Sequence, residues 1–291
     1  GGSADIESEG MDVSAALAGT MTVRGMSISA TVLDGGMQSV VFGGSATGAV
    51  IYQNGTQDIS TSGFATGTHV SSGGMQNVLL GGTAQESIVQ SGGSLAVDAG
   101  GTIRDASIAH GGIMTLEEGA AGRGNIALCG SLTVNGSADM AQAAITLDLT
   151  ERSSAESYII SDVSLLANAA SWSVTIDQDQ ASGTYRLAGN ASDFSCSINV
   201  AYAGAEIFDA ISLASPDLTH GNAHYALTLD GSNGLCLTIS AYDPSSEPLG
   251  TMIFATQDAD LRENSIDTAS QILSGVTLTQ AAVDAVNESI S

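Results

Sequence analysis

Apolar positions in this chain recur in columns nineteen residues apart. One column holds Val40, Ile59, Val78, Val97 and Leu116, and a second holds Ile51, Val70, Val89, Ile108 and Ala127. A third column is small: Ala46, Ala65, Ala84 and Ile103. Glycines keep the same beat. Gly35-Gly36, Gly73-Gly74, Gly92-Gly93 and Gly111-Gly112 mark one corner, with Asn54-Gly55 and Gly130-Ser131 at the remaining steps. A second corner follows eight residues later at Gly43-Gly44, Ser62-Gly63, Gly81-Gly82, Gly100-Gly101 and Gly119-Ala120. A period near twenty residues marks a solenoid, whose units bury their apolar faces only by stacking on one another. Helical repeats need longer units, and Gly, Val, Ser and Thr favour short strands joined by turns. Nineteen residues at roughly 3.3 Å each close a loop of about 60 Å, with rungs about 4.8 Å apart. The fold expected is therefore all-β: a parallel β-helix of nineteen-residue rungs.

In such a stack Gln38, Gln57 and Gln76 lie above one another. Their amides either hydrogen-bond along the axis as a ladder or point into solvent. Leu95 and Met114 continue the column, which favours a partly buried position.

The regular pattern runs from residue 35 to 139, though Leu132 and Val134 stand one place early. Residues 1 to 34 read as an N-terminal cap with degenerate rungs, carrying short β runs at Met21 to Val23 and Ile28 to Leu33. Residues 140 to 241 alternate as strands in irregular rungs and a β-rich cap; DGSNG, between Leu229 and Leu235, predicts a hairpin turn there. The lone Trp172 is expected as an apolar plug of that cap. From 242 to 291 the texture changes to a proline-containing linker, DPSSEP, and a partly helical tail over Asp260 to Leu273 and Thr279 to Ile290. That tail reads as the start of a further domain, and the whole as a segment of a longer protein.

Charge narrows the function. The chain has 291 residues, no lysine, six arginines and thirty-one carboxylates, for a net charge of -25. Such a surface repels nucleic acid and anionic membranes. No run of eighteen apolar residues is present, so no helix is expected to insert in a membrane, and no cleavable secretion signal is visible. Only six acids lie between Gly35 and Cys129, against nineteen from Asp148 onward. They read as solvated charge, because the calcium-binding G-G-x-G-x-D repeat is absent. Cys129, Cys196 and Cys236 are too few for a disulfide framework. The latter two sit in alternating apolar runs and are expected to be buried free thiols.

The unit G-G-x-Q-x-V-x-x-G-G-x-A-x-x-x-x-V-x-x, clearest at Gly35 to Gln53 and Gly73 to Ser91, resembles the passenger repeats of AIDA-type autotransporters. That family includes self-associating adhesins of the antigen 43 kind. The resemblance covers residues 35 to 129 well and 172 to 240 loosely, through SVTIDQDQASGTYRLAG. It implies a right-handed coil displayed on a bacterial surface or secreted, acting in adhesion, self-aggregation or biofilm formation. The partners implied are further copies of itself, or glycans and proteins of host and bacterial surfaces. No functional residues carry over, since the motif consists of corners and core. The membrane barrel of a complete autotransporter is missing from this chain, which leaves the export route open.

Candidate chemistry is sparse, and no catalytic, cofactor or metal site is expected. His220 and His224 have a metal-like spacing, but Gly221 and Asn222 favour a turn leading into a strand. His69 and His110 fall in different rungs and columns. Asp98 and Glu117 stack one rung apart, a spacing at which two carboxylates could serve as a retaining glycosidase pair, whereas the neighbours Glu117 and Glu118 point to opposite faces. The expected protein is a non-enzymatic adhesin-like solenoid, with an inert stalk for a downstream effector and a glycan-active β-helix enzyme as the alternatives. Association between such acidic copies calls for uncharged polar contacts or a divalent ion.

Overall fold

The computed structural model describes residues 2–242, apart from 167, 206 and the side chain of Phe208. The DPSSEP linker and both expected helical stretches lie outside the described residues.

The described chain is a parallel β-solenoid. Each regular rung has three strands, as in Thr56–Ile59, Phe64–Thr66 and His69–Val70, which we call faces one, two and three. Face one is an eight-stranded parallel sheet from Ser3–Ile6 to Ser131–Val134. Faces two and three form one larger sheet, because Thr102–Ile108 and Ala121–Leu128 run through the corner between them. The predicted columns stack inside: Val40, Ile59, Val78 and Val97 are fully buried, as are Ile51, Val70 and Val89. Their pairing is direct, with Ile59 opposite Val78 and Val70 opposite Val89.

The two glycines of a corner answer different needs. Gly81 takes φ +75, where a side chain is strained but has room, its nearest neighbour being 3.5 Å away. Gly82 instead faces the rung below, where a Cβ would come within 2.1 Å of the Ile59 carbonyl oxygen. Asn54 and Ser62 therefore replace the first glycine, at φ 56 and 64, while Gly55 and Gly63 keep the second.

A third corner, between faces two and three, turns on a single left-handed residue: Ser14, Ser29, Gly48, Gly67, Glu86, Asp105 and Gly124 in successive rungs. The sequence reading of two corners missed it because the residue type changes from rung to rung. At this corner the period also breaks. Arg104 pairs with Arg123, but Ala106 pairs with Ile126, so one residue is inserted at Gly124-Asn125. Leu128, not Ala127, therefore occupies the column above Ile108, which corrects the expected assignment. The next corner is shorter, so that Met114 pairs with Leu132 and Gly130 takes the crowded second place above Gly112.

Rungs at the N-terminal end are shorter, with Met11 beside Met26 and Ser3 beside Thr20. Beyond residue 139 the stack goes on with larger rungs. Ile145, Trp172 and Ile198 pair in parallel, so Trp172 is a core residue of the solenoid rather than a plug in a separate cap. It is 3% exposed and meets Phe194 edge-on at 5.5 Å. Face one is extended by Ile160, which bridges Leu132 and Ala188. An antiparallel sheet of Gly183–Ala188, Leu235–Ala241, Ala223–Leu229 and Asp217–His220 follows. Its expected hairpin turn forms at Asp230, whose Oδ1 accepts from the amides of Ser232 (2.8 Å) and Gly234 (3.0 Å).

Candidate interaction surface

The glutamine column is interior. Gln38, Gln57 and Gln76 are fully buried, and they form a ladder. Gln57 donates through Nε2 to Gln38 Oε1 (2.7 Å), Gln76 donates to Gln57 Oε1 (2.8 Å), and Gln38 donates to Ser27 Oγ (2.9 Å). Thr68 Oγ1 adds a bond to Gln57 Oε1 at 3.1 Å. This choice between ladder and solvent is thus decided by burial, and it removes three amides from the surface chemistry.

What remains outside is organised by face. Five of the six acids between residues 35 and 129 sit at corners: Asp98, Glu117 and Glu118 after face one, Glu86 and Asp105 at the left-handed corner. Only Asp58 stands on a face, where its Oδ1 accepts from Asn77 Nδ2 at 2.7 Å. The geometry has a simple cause: corners project and hydrate charge, while strand positions lie close to neighbours in adjoining rungs. Face one presents two outward rows. The first runs Ser3, Thr20, Met37, Thr56, Met75, Ser94, Ile113 and Ser131, and the second runs Asp5, Thr22, Ser39, Asp58, Asn77, Ala96, Thr115 and Thr133. Register is unbroken across all eight strands. Met75 and Ile113 are 44% and 45% exposed. Face two differs, since Arg104 and Arg123 stack on it beside the bulge, with Arg123 held to Asp139 at 2.7 Å.

The residues singled out from the sequence for chemistry are not brought together. His220 and His224 flank a tight turn between antiparallel strands, where His224 lies opposite Thr219 and His220 opposite Ala223. The two imidazoles therefore leave opposite faces of the hairpin. His224 meets Asp217 at 3.4 Å, and the His220 ring lies 5.7 Å from that of Tyr202, tilted by 55°. Asp98 and Glu117 do follow paired strands one rung apart, but Glu117 Oε1 accepts from Asn135 (2.7 Å). His69 projects from face three, whereas His110 stands at a corner of a later rung.

His110 has an unforeseen partner. Its Nε2 lies 3.0 Å from Glu156 Oε2, and Arg152, nearly buried, reaches the same oxygen at 3.3 Å while donating to the carbonyls of Cys129 and Ser157. Burial alone would raise the Glu156 carboxyl, but the Ser153 amide, His110 and Arg152 outweigh it and hold it below the usual range. Glu156 thus sits between His110 and Ser153, whose hydroxyl donates to Oε1 at 3.2 Å, and the group acts as a strap across the shortened corner. A second strap joins Tyr158 to Asp230, with the Tyr158 hydroxyl donating to Oδ2; this bond, with burial added, pushes the phenol up to about 12. Cys129 and Cys236 are buried free thiols, both raised by burial. Cys196 is free but only partly buried, contrary to the expectation from its apolar run, because it borders the core rather than facing it.

Comparison with known proteins adds little to this. No family model and no curated protein matches the chain. Among solved structures it is similar to the TibC-catalysed hyper-glycosylated TibA55-350 fragment, at 21% identity over 65% of this chain and 81% of that one, with a TM-score of 0.31. An overlap that loose defines no shared site.

Proposed function

We propose that this chain belongs to a bacterial surface-exposed or secreted adhesin-like β-solenoid, without enzymatic activity, that acts in adhesion, self-aggregation or biofilm formation. The observation that supports it is face one: eight strands in unbroken register whose sixteen outward positions include two acids, in a chain of net charge -25. Acidic copies repel one another at their corners, whereas this face approaches another surface at little electrostatic cost. Rigidity matters as much as composition. A continuous hydrogen-bonded stack holds many weak polar and apolar contacts in fixed spacing, so an array of copies sums them by avidity. The partners are other copies or the glycans and proteins of a cell surface.

Beads or cells displaying the full chain test this reading. Clumping, or retention on cell surfaces, that survives chelation of divalent ions is the expected result. The reading is lost if the displayed chain neither clumps nor adheres, with or without calcium. Cleavage of a polysaccharide in a substrate screen would replace it with a glycan-active enzyme.

A further inference from the structure

We propose that Asn135 is a self-modifying site, whose side-chain amide leaves as ammonia and whose place is taken by a carboxyl group, as aspartate or isoaspartate, at the corner that carries Glu117 and Glu118. Asparagine followed by glycine is the pair that cyclises most readily, because glycine has no side chain to shield its nitrogen or restrict its backbone. The chain has three such pairs, Asn54-Gly55, Asn135-Gly136 and Asn233-Gly234. The fold closes two of them. At Asn54 the Gly55 amide donates to the Tyr52 carbonyl at 2.8 Å, and Gly55 is buried. At Asn233 the Gly234 amide donates to Asp230 Oδ1 at 3.0 Å, and Gly234 is buried too. Both asparagines also hold left-handed turns, at φ 56 and 59. Asn135 carries none of these restraints. It is exposed and outside the left-handed region, Gly136 is half-buried, and the Gly136 amide has no acceptor among the described residues. The Asn135 side chain is tied by Nδ2 to Glu117 Oε1 at 2.7 Å, a bond at an exposed corner that water replaces at little cost.

The step needs only water. The Gly136 amide gives its proton to water or hydroxide, its nitrogen bonds to Asn135 Cγ, and the Cγ–Nδ2 bond breaks to release ammonia. Water then opens the five-membered imide. Cleavage between Cγ and nitrogen gives aspartate, and cleavage of the original main-chain bond gives isoaspartate. At Asn54 and Asn233 the same nitrogen must first lose a hydrogen bond and its cover of protein, which slows cyclisation there by about tenfold or more.

The product works against the corner. Glu117 loses its donor and meets a like charge instead, in a chain whose net charge is already -25. Isoaspartate also lengthens the main chain by one methylene where space is short, since a Cβ on Gly136 would stand 2.5 Å from that of Glu118. The nearby bond from the Gly119 amide to the Ser137 carbonyl, at 2.9 Å, is the tie that loosens. Age thereby weakens the junction between the regular rungs and the larger ones beyond residue 139.

The test incubates the full folded chain at mildly alkaline pH and follows each asparagine by peptide mass spectrometry, with isoaspartate read by enzymatic methylation. Asn135 is expected to convert at least about ten times faster than Asn54 or Asn233. In urea, where the fold no longer protects the other two, the three rates are expected to draw together. Asn135→Gln, which keeps an amide but cyclises far more slowly, is expected to lose the early isoaspartate signal. Asn135→Asp, which installs one product directly, is expected to speed hydrogen exchange at the Gly119 amide by about threefold. Equal rates in the folded chain, or isoaspartate that persists in Asn135→Gln, overturn the site. A preference for Asn135 that is unchanged in urea overturns its selection by the fold, and unaltered exchange at Gly119 in Asn135→Asp overturns the loosening of the corner.

Discussion

Replacing Gln57 alone should cost the protein more than replacing the whole glutamine ladder. Gln57 is fully buried, donates one bond and accepts two, from Gln76 and Thr68. Gln57→Leu fills the column with a side chain that the stack already accepts at Leu95, but it strands Gln38 Oε1, Gln76 Nε2 and Thr68 Oγ1 in a dry interior. A buried polar group left unpaired costs about 1–3 kcal/mol. Three such groups, allowing for partial relaxation, give a loss of about 3–6 kcal/mol. The triple variant Gln38→Leu, Gln57→Leu, Gln76→Leu removes the amides together and strands only the hydroxyls of Ser27 and Thr68, while burying more apolar surface. Its expected loss is about 2 kcal/mol or less. Stability is read from urea unfolding followed by far-ultraviolet circular dichroism. Hydrogen exchange on rungs 37–78 guards against local melting, since a stack of rungs need not unfold in one step. The reasoning fails if the single variant costs less than about 1 kcal/mol, or if the triple costs as much as three independent singles.

The corner glycines separate in the same assay: Gly82→Ala, driven into the Ile59 carbonyl, should cost about 3 kcal/mol or more, and Gly81→Asn, at φ +75 in open space, about 1 kcal/mol or less. Equal losses would refute the division of labour. Ser87 stands to Gln76 as Thr68 stands to Gln57, yet Gln76 Oε1 and Ser87 Oγ lack the bond. Ser87→Thr, with its stiffer χ1, should gain about 1 kcal/mol, and an unchanged or lower urea midpoint would count against it. Glu156 has a folded pKa below its ordinary 4.5, so its contribution is complete above that value and disappears as pH falls through the folded one. Glu156→Gln should therefore destabilise near neutrality and converge with the parent once the pH has fallen below the folded value; a difference that stays constant through that descent would show that the strap works through shape alone.

Much of the fold is legible in the sequence because the rung demands particular residues at a few places. Gly82 and its equivalents are crowded by the rung below, so that only Ala120 departs from glycine among them, and Val40, Ile59 and Val78 face a closed core, so both leave clear periodic marks. The third corner demands only a left-handed backbone. Ser29, Gly48, Glu86 and Asp105 all supply it, and no column of type survives. The one-residue insertion at Gly124-Asn125 is hidden for a related reason: Ala127 and Leu128 are both apolar, so the column reads smoothly through the wrong residue. Trp172 was misplaced because its rung is lengthened beyond nineteen residues, and a period search stops where the loops grow, although the parallel stack does not. The straps behave likewise. His110 and Glu156 are forty-six residues apart, and only the folded corner brings them together.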